Sequence, residues 1–219
     1  MLTRLRKKLL LHSRLYLVLD KDTCHQGNII DTFRQLGKGA IDLVQLRANT
    51  TCDRDLMRDA KVIKQLANQR GIVFIVNNRL DIAQLVGADG LHLGQSDLPL
   101  ESARRTLGKD KIIGISCHNL SQALNAQSQG ADYISIGPLF CTKTKPGLKP
   151  INPKLIKVIN QRIRIPYFAI GGLGYSNINK AASYGVKRIA LCRAICRARN
   201  ITKASINLRK QINKKIVNN

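Results

Sequence analysis

Eight short apolar runs, each followed by a helix-like spacer, recur along the chain and leave few folds open. They cover residues 15–19, 41–46, 72–76, 90–93, 111–116, 133–136, 167–170 and 188–191. Each is rich in Val, Ile, Leu or Tyr and almost continuously apolar, as strands buried on both faces of a parallel sheet should be. The spacers carry helical signals. Leu56, Ala60, Ile63, Leu66 and Ala67 form one stripe, and Ala123, Leu124 and Ala126 another that stops at Gly130. Asn152 and Pro153 provide a cap and a first helical residue. Strand–helix alternation repeated eight times predicts a closed (β/α)8 TIM barrel of the α/β class.

The length of 219 residues suits one such domain. A single domain over 1–219 is expected, its core at about 14–198, with a basic C-terminal helix at about 201–216. Ahead of several strands stands a recurring turn: Gly39-Ala40-Ile41-Asp42, Gly87-Ala88-Asp89-Gly90 and Gly130-Ala131-Asp132-Tyr133. These mark the lower rim and carry no expected chemistry.

No stretch reaches the ~20 apolar residues of a membrane helix. The basic start is followed by Leu9, Leu10 and Leu11, but His12 and Arg14 interrupt the run and no small-residue cleavage site follows. The expected location is cytoplasmic. Six scattered cysteines without a C-x-x-C pair read as free, buried thiols. The net charge of +24 raises the question of nucleic acid. Yet the basic residues run from Arg4 to Lys215 without clustering, and aromatics are only 4%, so stacking platforms are scarce. The charge reads as compositional, and no specific nucleic-acid partner is expected. A positive field would still favour anionic small molecules.

The chemistry of a barrel lies at the C-terminal ends of its strands. Gln45, Arg47 and Asn49 follow the second run, Asn77 and Asn78 the third, and Gln95 and Asp97 the fourth. Ser116 and His118 follow the fifth, and Thr142, Lys143, Thr144 and Lys145 the sixth. The last two end in Gly171-Gly172 and Cys192-Arg193. Arg47, Lys145 and Arg193 are phosphate-binding types, the glycine pair frees backbone N–H groups for an anion, and Asp97 is a ligand type that Mg²⁺ accepts. Phosphorylated small molecules are the expected partners.

The segments VQLR (44–47), FIVNNRLDIA (74–83), ADGLHLGQSDLP (88–99), IIGISCHNLSQA (112–123), ADYISIGPLFCTKTK (131–145) and IPYFAIGGL (165–173) resemble the thiamine-phosphate synthase family in the right order over most of the chain. The resemblance implies a transferase that joins hydroxymethylpyrimidine diphosphate to hydroxyethylthiazole phosphate, giving thiamine phosphate and pyrophosphate, with Mg²⁺ as cofactor. It assigns Gln45, Arg47, Asn77, Ser116 and Lys145 to the pyrimidine diphosphate, with Arg47, Ser116 and Lys145 in catalysis. It assigns Thr142, Thr144, Gly172, Cys192 and Arg193 to the thiazole phosphate. Asp97 and Asn78 fall at the Mg²⁺ positions, and Asn49 at a substrate-binding one. Three residues depart from the family pattern: Asn49 stands for lysine, Asn78 for aspartate and Arg193 for serine. The alternatives are a thiazole tautomerase-like isomerase, working through His118 without metal, and a degenerate paralogue that binds thiamine phosphates without turnover.

Overall fold

The computed structural model describes residues 2–25, 28–144 and 147–217. Its strands are β1 (Leu15–Asp20), β2 (Leu43–Arg47), β3 (Val73–Asn77), β4 (Gly90–Leu93), β5 (Ile112–Cys117), β6 (Tyr133–Ile136), β7 (Tyr167–Ala169) and β8 (Ile189–Leu191). All neighbours run parallel, and β1 pairs with β8 to close the barrel in strict sequence order. The main helices between them are α2 (Ile29–Arg34), α3 (Asp53–Gln69), α4 (Leu80–Leu85), α5 (Leu100–Leu107), α6 (Leu120–Ser128), α7 (Lys154–Arg162) and α8 (Ile178–Ser183). A short α9 (Arg193–Cys196) and a longer α10 (Ile201–Ile212) follow β8. The (β/α)8 barrel expected from the sequence is the fold, with strand ends displaced by one or two residues. No described helix is long and apolar enough to cross a membrane.

The continuous apolar runs conceal two alternating faces. Leu17, Val44, Phe74, Leu91, Ile113 and Ile134 point outward into the layer beneath the helices. Tyr16, Leu43, Val73, Ile75, Ile112, Tyr133, Phe168 and Ala190 point inward and form a second, smaller cluster. Three inward rings pack edge to face: Tyr16 and Tyr133 lie 5.2 and 5.8 Å from Phe168. Gly114 makes this possible, since a Cβ there would run into the Tyr133 ring.

The residues before β1 also fold. Helix α1 (Leu2–His12) closes the barrel floor, with Leu10 packed into the inward cluster. At the other end of the chain, α10 buries Ile201, Leu208 and Ile212 in the main core. The core therefore extends on both sides of the 14–198 span expected from the sequence.

The lower-rim turns have a shared job. Asp42 accepts the N–H groups of Arg14 and Leu15 at 2.7 and 2.9 Å, Asp89 that of Phe74 at 2.9 Å, and Asp132 that of Ile113 at 2.9 Å. Each carboxylate thus ties its own strand's start to the preceding strand's. Each is also paired with cations: Arg209 for Asp42, Arg6 and Lys64 for Asp89, and Lys7 and Arg104 for Asp132. Three of the thirteen acidic residues are thus committed to the lower rim. All six cysteines are free; Cys24, Cys117 and Cys196 are buried, but Cys52 and Cys141 are exposed, which corrects the expectation of uniformly buried thiols. Those two sit in turns with no core behind them.

Candidate functional site

The upper end of the barrel opens into a cavity of about 530 Å³. Its wall brings together Gln45, Arg47, Asn77, Ser116, Thr142, Thr144, Gly172, Cys192 and Arg193, all singled out from the sequence, together with His118. Asn49, Asn78 and Asp97 lie outside that wall, in the loops after β2, β3 and β4. Lys145 falls outside the described residues.

Among the described residues no carboxylate lines the cavity. The nearest functional one is Asp20, at the end of β1, 1% exposed, whose Oδ2 accepts a hydrogen bond from Arg47 at 2.7 Å. Thr23 donates to the same oxygen at 3.1 Å, and the Asp22 amide to Oδ1 at 3.1 Å. Arg47 therefore reaches the cavity already anchored, which limits the rotamer freedom it would lose on binding an anion. Reading β1 as ending at Leu19 left this partner out. A period-two reading of the strand, which aligns Asp20 with Tyr16 and Val18, would have found it.

Beneath the mouth runs a line of inward polar groups. Gln45 Nε2 donates to the Tyr16 hydroxyl at 2.6 Å, and Tyr16 and Tyr133 share a hydrogen bond of 2.7 Å. The Tyr133 hydroxyl meets His92 Nδ1 at 2.9 Å, and His92 Nε2 meets Ser116 Oγ at 2.9 Å. Ser135 donates to Ser116 Oγ at 3.4 Å. Burial holds the Tyr16 and Tyr133 phenols well above their ordinary value of 10, so both stay un-ionised as hydrogen-bonding links. Tyr16, His92 and Ser135 all line the cavity, and sequence reasoning missed them because each is embedded in an apolar run.

The loops after β6, β7 and β8 enclose the other side. Gly171 and Gly172 have φ of 97° and 64°, values that side-chain-bearing residues rarely adopt. A Cβ at Gly171 would strike Pro138, and one at Gly172 the carbonyl of Cys141. The pair lets the β7 loop lie directly against the β6 loop that carries Thr142 and Thr144. Arg193 opens α9 and Arg197 follows one turn later; both are exposed and line the cavity. Neither has an ion-pair partner among the described residues. Arg197 was missed because it lies six residues beyond the last strand.

His118 Nδ1 lies 2.6 Å from the Gly137 carbonyl. A carbonyl only accepts, so Nδ1 carries a proton, and in the neutral ring Nε2 offers a lone pair. No group of three or more His, Cys, Asp or Glu residues suited to a metal occurs among the described residues. Asp97 Oδ2 accepts the Gly94 amide at 2.5 Å, so Oδ1 is the oxygen a cation would take. Asn78 adopts a left-handed φ of 61° and offers an amide oxygen. One carboxylate and one amide fit a hard cation that keeps its waters and takes most other ligands from a substrate's phosphates.

The sequence matches the thiamine monophosphate synthase family over residues 15–195. A thiamine-phosphate synthase of Shouchella clausii is 37% identical over 193 residues, 88% of this chain and 92% of that protein. One from Lawsonia intracellularis is 38% identical over 203 residues, 92% and 94% of the two chains. Among solved structures, a thiamine phosphate pyrophosphorylase from Pyrococcus furiosus superposes with a TM-score of 0.84 at 31% identity, covering 97% of this chain and 99% of its own.

Proposed function

This chain belongs to the thiamine monophosphate synthase family, and we propose that its cavity joins 4-amino-2-methyl-5-hydroxymethylpyrimidine diphosphate to hydroxyethylthiazole phosphate, releasing thiamine phosphate and pyrophosphate. The single observation that carries this reading is a cavity with no carboxylate among its described residues and with anion-binding groups from two arcs of the barrel, β2–β5 and β6–β8. One side offers Arg47, Asn77 and Ser116; the other offers Thr142, Thr144, Gly172 and Arg193. Two phosphorylated substrates held there meet over the barrel axis.

Gln45, Arg47, Asn77 and Ser116 hold the pyrimidine diphosphate in this reading. Lys145 joins them by its place in the family motif alone, and Asn49 stands at the edge of the same subsite. The bond between the pyrimidine's exocyclic methylene carbon and the diphosphate oxygen breaks, with its electron pair leaving on pyrophosphate. Arg47 and the Ser116 hydroxyl stabilise the charge that develops, as preorganised donors do best. The pyrimidine cation is captured by the thiazole nitrogen, which Thr142, Thr144, Gly172, Cys192 and Arg193 position through the thiazole phosphate. Asp97 and Asn78 would hold Mg²⁺, which when bound neutralises charge on the departing pyrophosphate. Arg197 adds a second guanidinium near Arg193 at the thiazole-phosphate end. The proposal includes a cytoplasmic place of work and no specific nucleic-acid partner, both from the sequence reading.

The test is incubation with both substrates, with and without Mg²⁺, followed by chromatography. Thiamine phosphate formed only with Mg²⁺ is expected; no product under either condition overturns the reading. The lone pair on His118 Nε2 favours the isomerase alternative, and conversion of a thiazole phosphate tautomer without metal in the same experiment would support it.

A further inference from the structure

The line of buried polar groups beneath the cavity has a direction. Gln45 Nε2 can only donate, so the Tyr16 oxygen accepts. The remaining partner for the Tyr16 proton among the described residues is the Tyr133 oxygen, 2.7 Å away. Tyr133 then passes its own proton to His92 Nδ1 at 2.9 Å. With Nδ1 accepting, the His92 proton sits on Nε2 and is donated to Ser116 Oγ at 2.9 Å. Any other order, a doubly protonated ring included, leaves a phenolic proton at Tyr16 or Tyr133 with no acceptor among the described residues. Both phenols are buried to within 1% of full exclusion, where an unsatisfied donor carries a full desolvation cost.

The consequence falls on Ser116. Its oxygen accepts from His92 at 2.9 Å and, more weakly, from Ser135 at 3.4 Å, so its own proton is available to be donated into the cavity. We propose that Tyr16, Tyr133 and His92 are positioning residues that fix Ser116 as a hydrogen-bond donor toward the substrate's diphosphate, with the amide of Gln45 setting the direction. This rests on the assignment of Ser116 to the diphosphate made above. A serine free to rotate would present either a proton or a lone pair to the anion; here the lone pair is withheld, and the donor is set before substrate arrives.

The experiment is nitrogen NMR of the protein with ¹⁵N-labelled histidine, with the His92 signal assigned by its loss in His92→Gln. Expected is a neutral ring protonated on Nε2. A ring protonated on Nδ1 in the wild-type protein overturns the proposal without any further variant. Gln45→Glu places an acceptor at the head of the line and should run it backwards: His92 moves its proton to Nδ1, and Ser116 must donate to His92 instead of to the cavity. Ser116→Ala, which removes the donated proton without adding a charge, should weaken binding of inorganic pyrophosphate in the presence of Mg²⁺ roughly tenfold or more, the scale of a hydrogen bond to a charged group. A Gln45→Glu protein that keeps the Nε2 proton also overturns it. Ser116→Ala separates the two layers: unchanged pyrophosphate affinity would remove Ser116 from the diphosphate site and the functional half of the proposal with it, whereas thiamine phosphate formation by the wild-type protein tests the overall reaction independently.

Discussion

At the scale of single residues, the departures from the family pattern have different consequences. Asn78 already sits at φ 61°, a conformation Asp also tolerates, so Asn78→Asp should fold unchanged while adding a carboxylate to the cation site. The Mg²⁺ concentration giving half-maximal activity should fall, roughly tenfold for a formal charge gained by a hard cation's ligand set. An unchanged Mg²⁺ dependence would place the metal elsewhere. Arg197 has no counterpart among the residues read from the sequence. Because it is exposed, Arg197→Gln should raise KM for the thiazole phosphate only about two- to fivefold and leave KM for the pyrimidine diphosphate alone. Equal effects on the two constants would contradict its placement at the thiazole end. Arg47 differs from both: its contact with buried Asp20 means that it is held in place before any ligand binds.

At the scale of elements, the barrel was legible in the sequence because parallel strands covered on both faces are apolar almost throughout, and helix stripes separate them. The same property hid half of the site. His92, Ser135 and Tyr16 look like minor breaks in apolar runs until the inward and outward faces are separated. Helix α1 was equally obscure: its stretch Leu2–His12 mixes five leucines with four Arg and Lys, and its order comes from the barrel floor beneath Leu10 and from the pairs of Arg6 and Lys7 with Asp89 and Asp132. The lower-rim aspartates were visible as repeats, but their bond to the preceding strand's backbone depends on the closed topology. Asp132 illustrates the energetics. Its loss would leave the Ile113 amide without that acceptor and Arg104 and Lys7 without their carboxylate. Asp132→Ala should cost about 3 kcal/mol, as removing one partner of a largely buried pair does, seen as a lower denaturation midpoint at unchanged slope. Asp55→Ala, which breaks a solvent-exposed pair with Arg58, should cost less than about 1 kcal/mol. Similar costs for the two would show that the lower rim holds the barrel no better than the surface does.

At the scale of the whole molecule, the excess of cations and the placement of anions work together. Among the described residues the cavity wall has Arg47, Lys143, Arg193 and Arg197 and no acid, so its field favours the entry of phosphorylated substrates. The inner aromatic layer has its own global signature. Burial raises the Tyr16 and Tyr133 phenols well above 10 and pushes Tyr167 up to about 12. In the unfolded chain these groups ionise near their ordinary value of 10, so their contribution to stability is complete below about pH 10 and is lost as pH climbs toward their folded values. At about pH 11 the folded protein should keep three of its five tyrosines un-ionised, and phenolate absorbance should jump when denaturant is added. Full ionisation before unfolding would mean that the barrel interior is open to water.

The central claim is that one cavity brings two phosphorylated substrates together for a single transfer. Phosphorus NMR of the protein with both substrates and Mg²⁺ tests it most directly, since both products carry phosphorus. The account predicts pyrophosphate and thiamine phosphate appearing in equal amounts as the two substrates disappear. Pyrophosphate released without thiamine phosphate, or neither product, would contradict it.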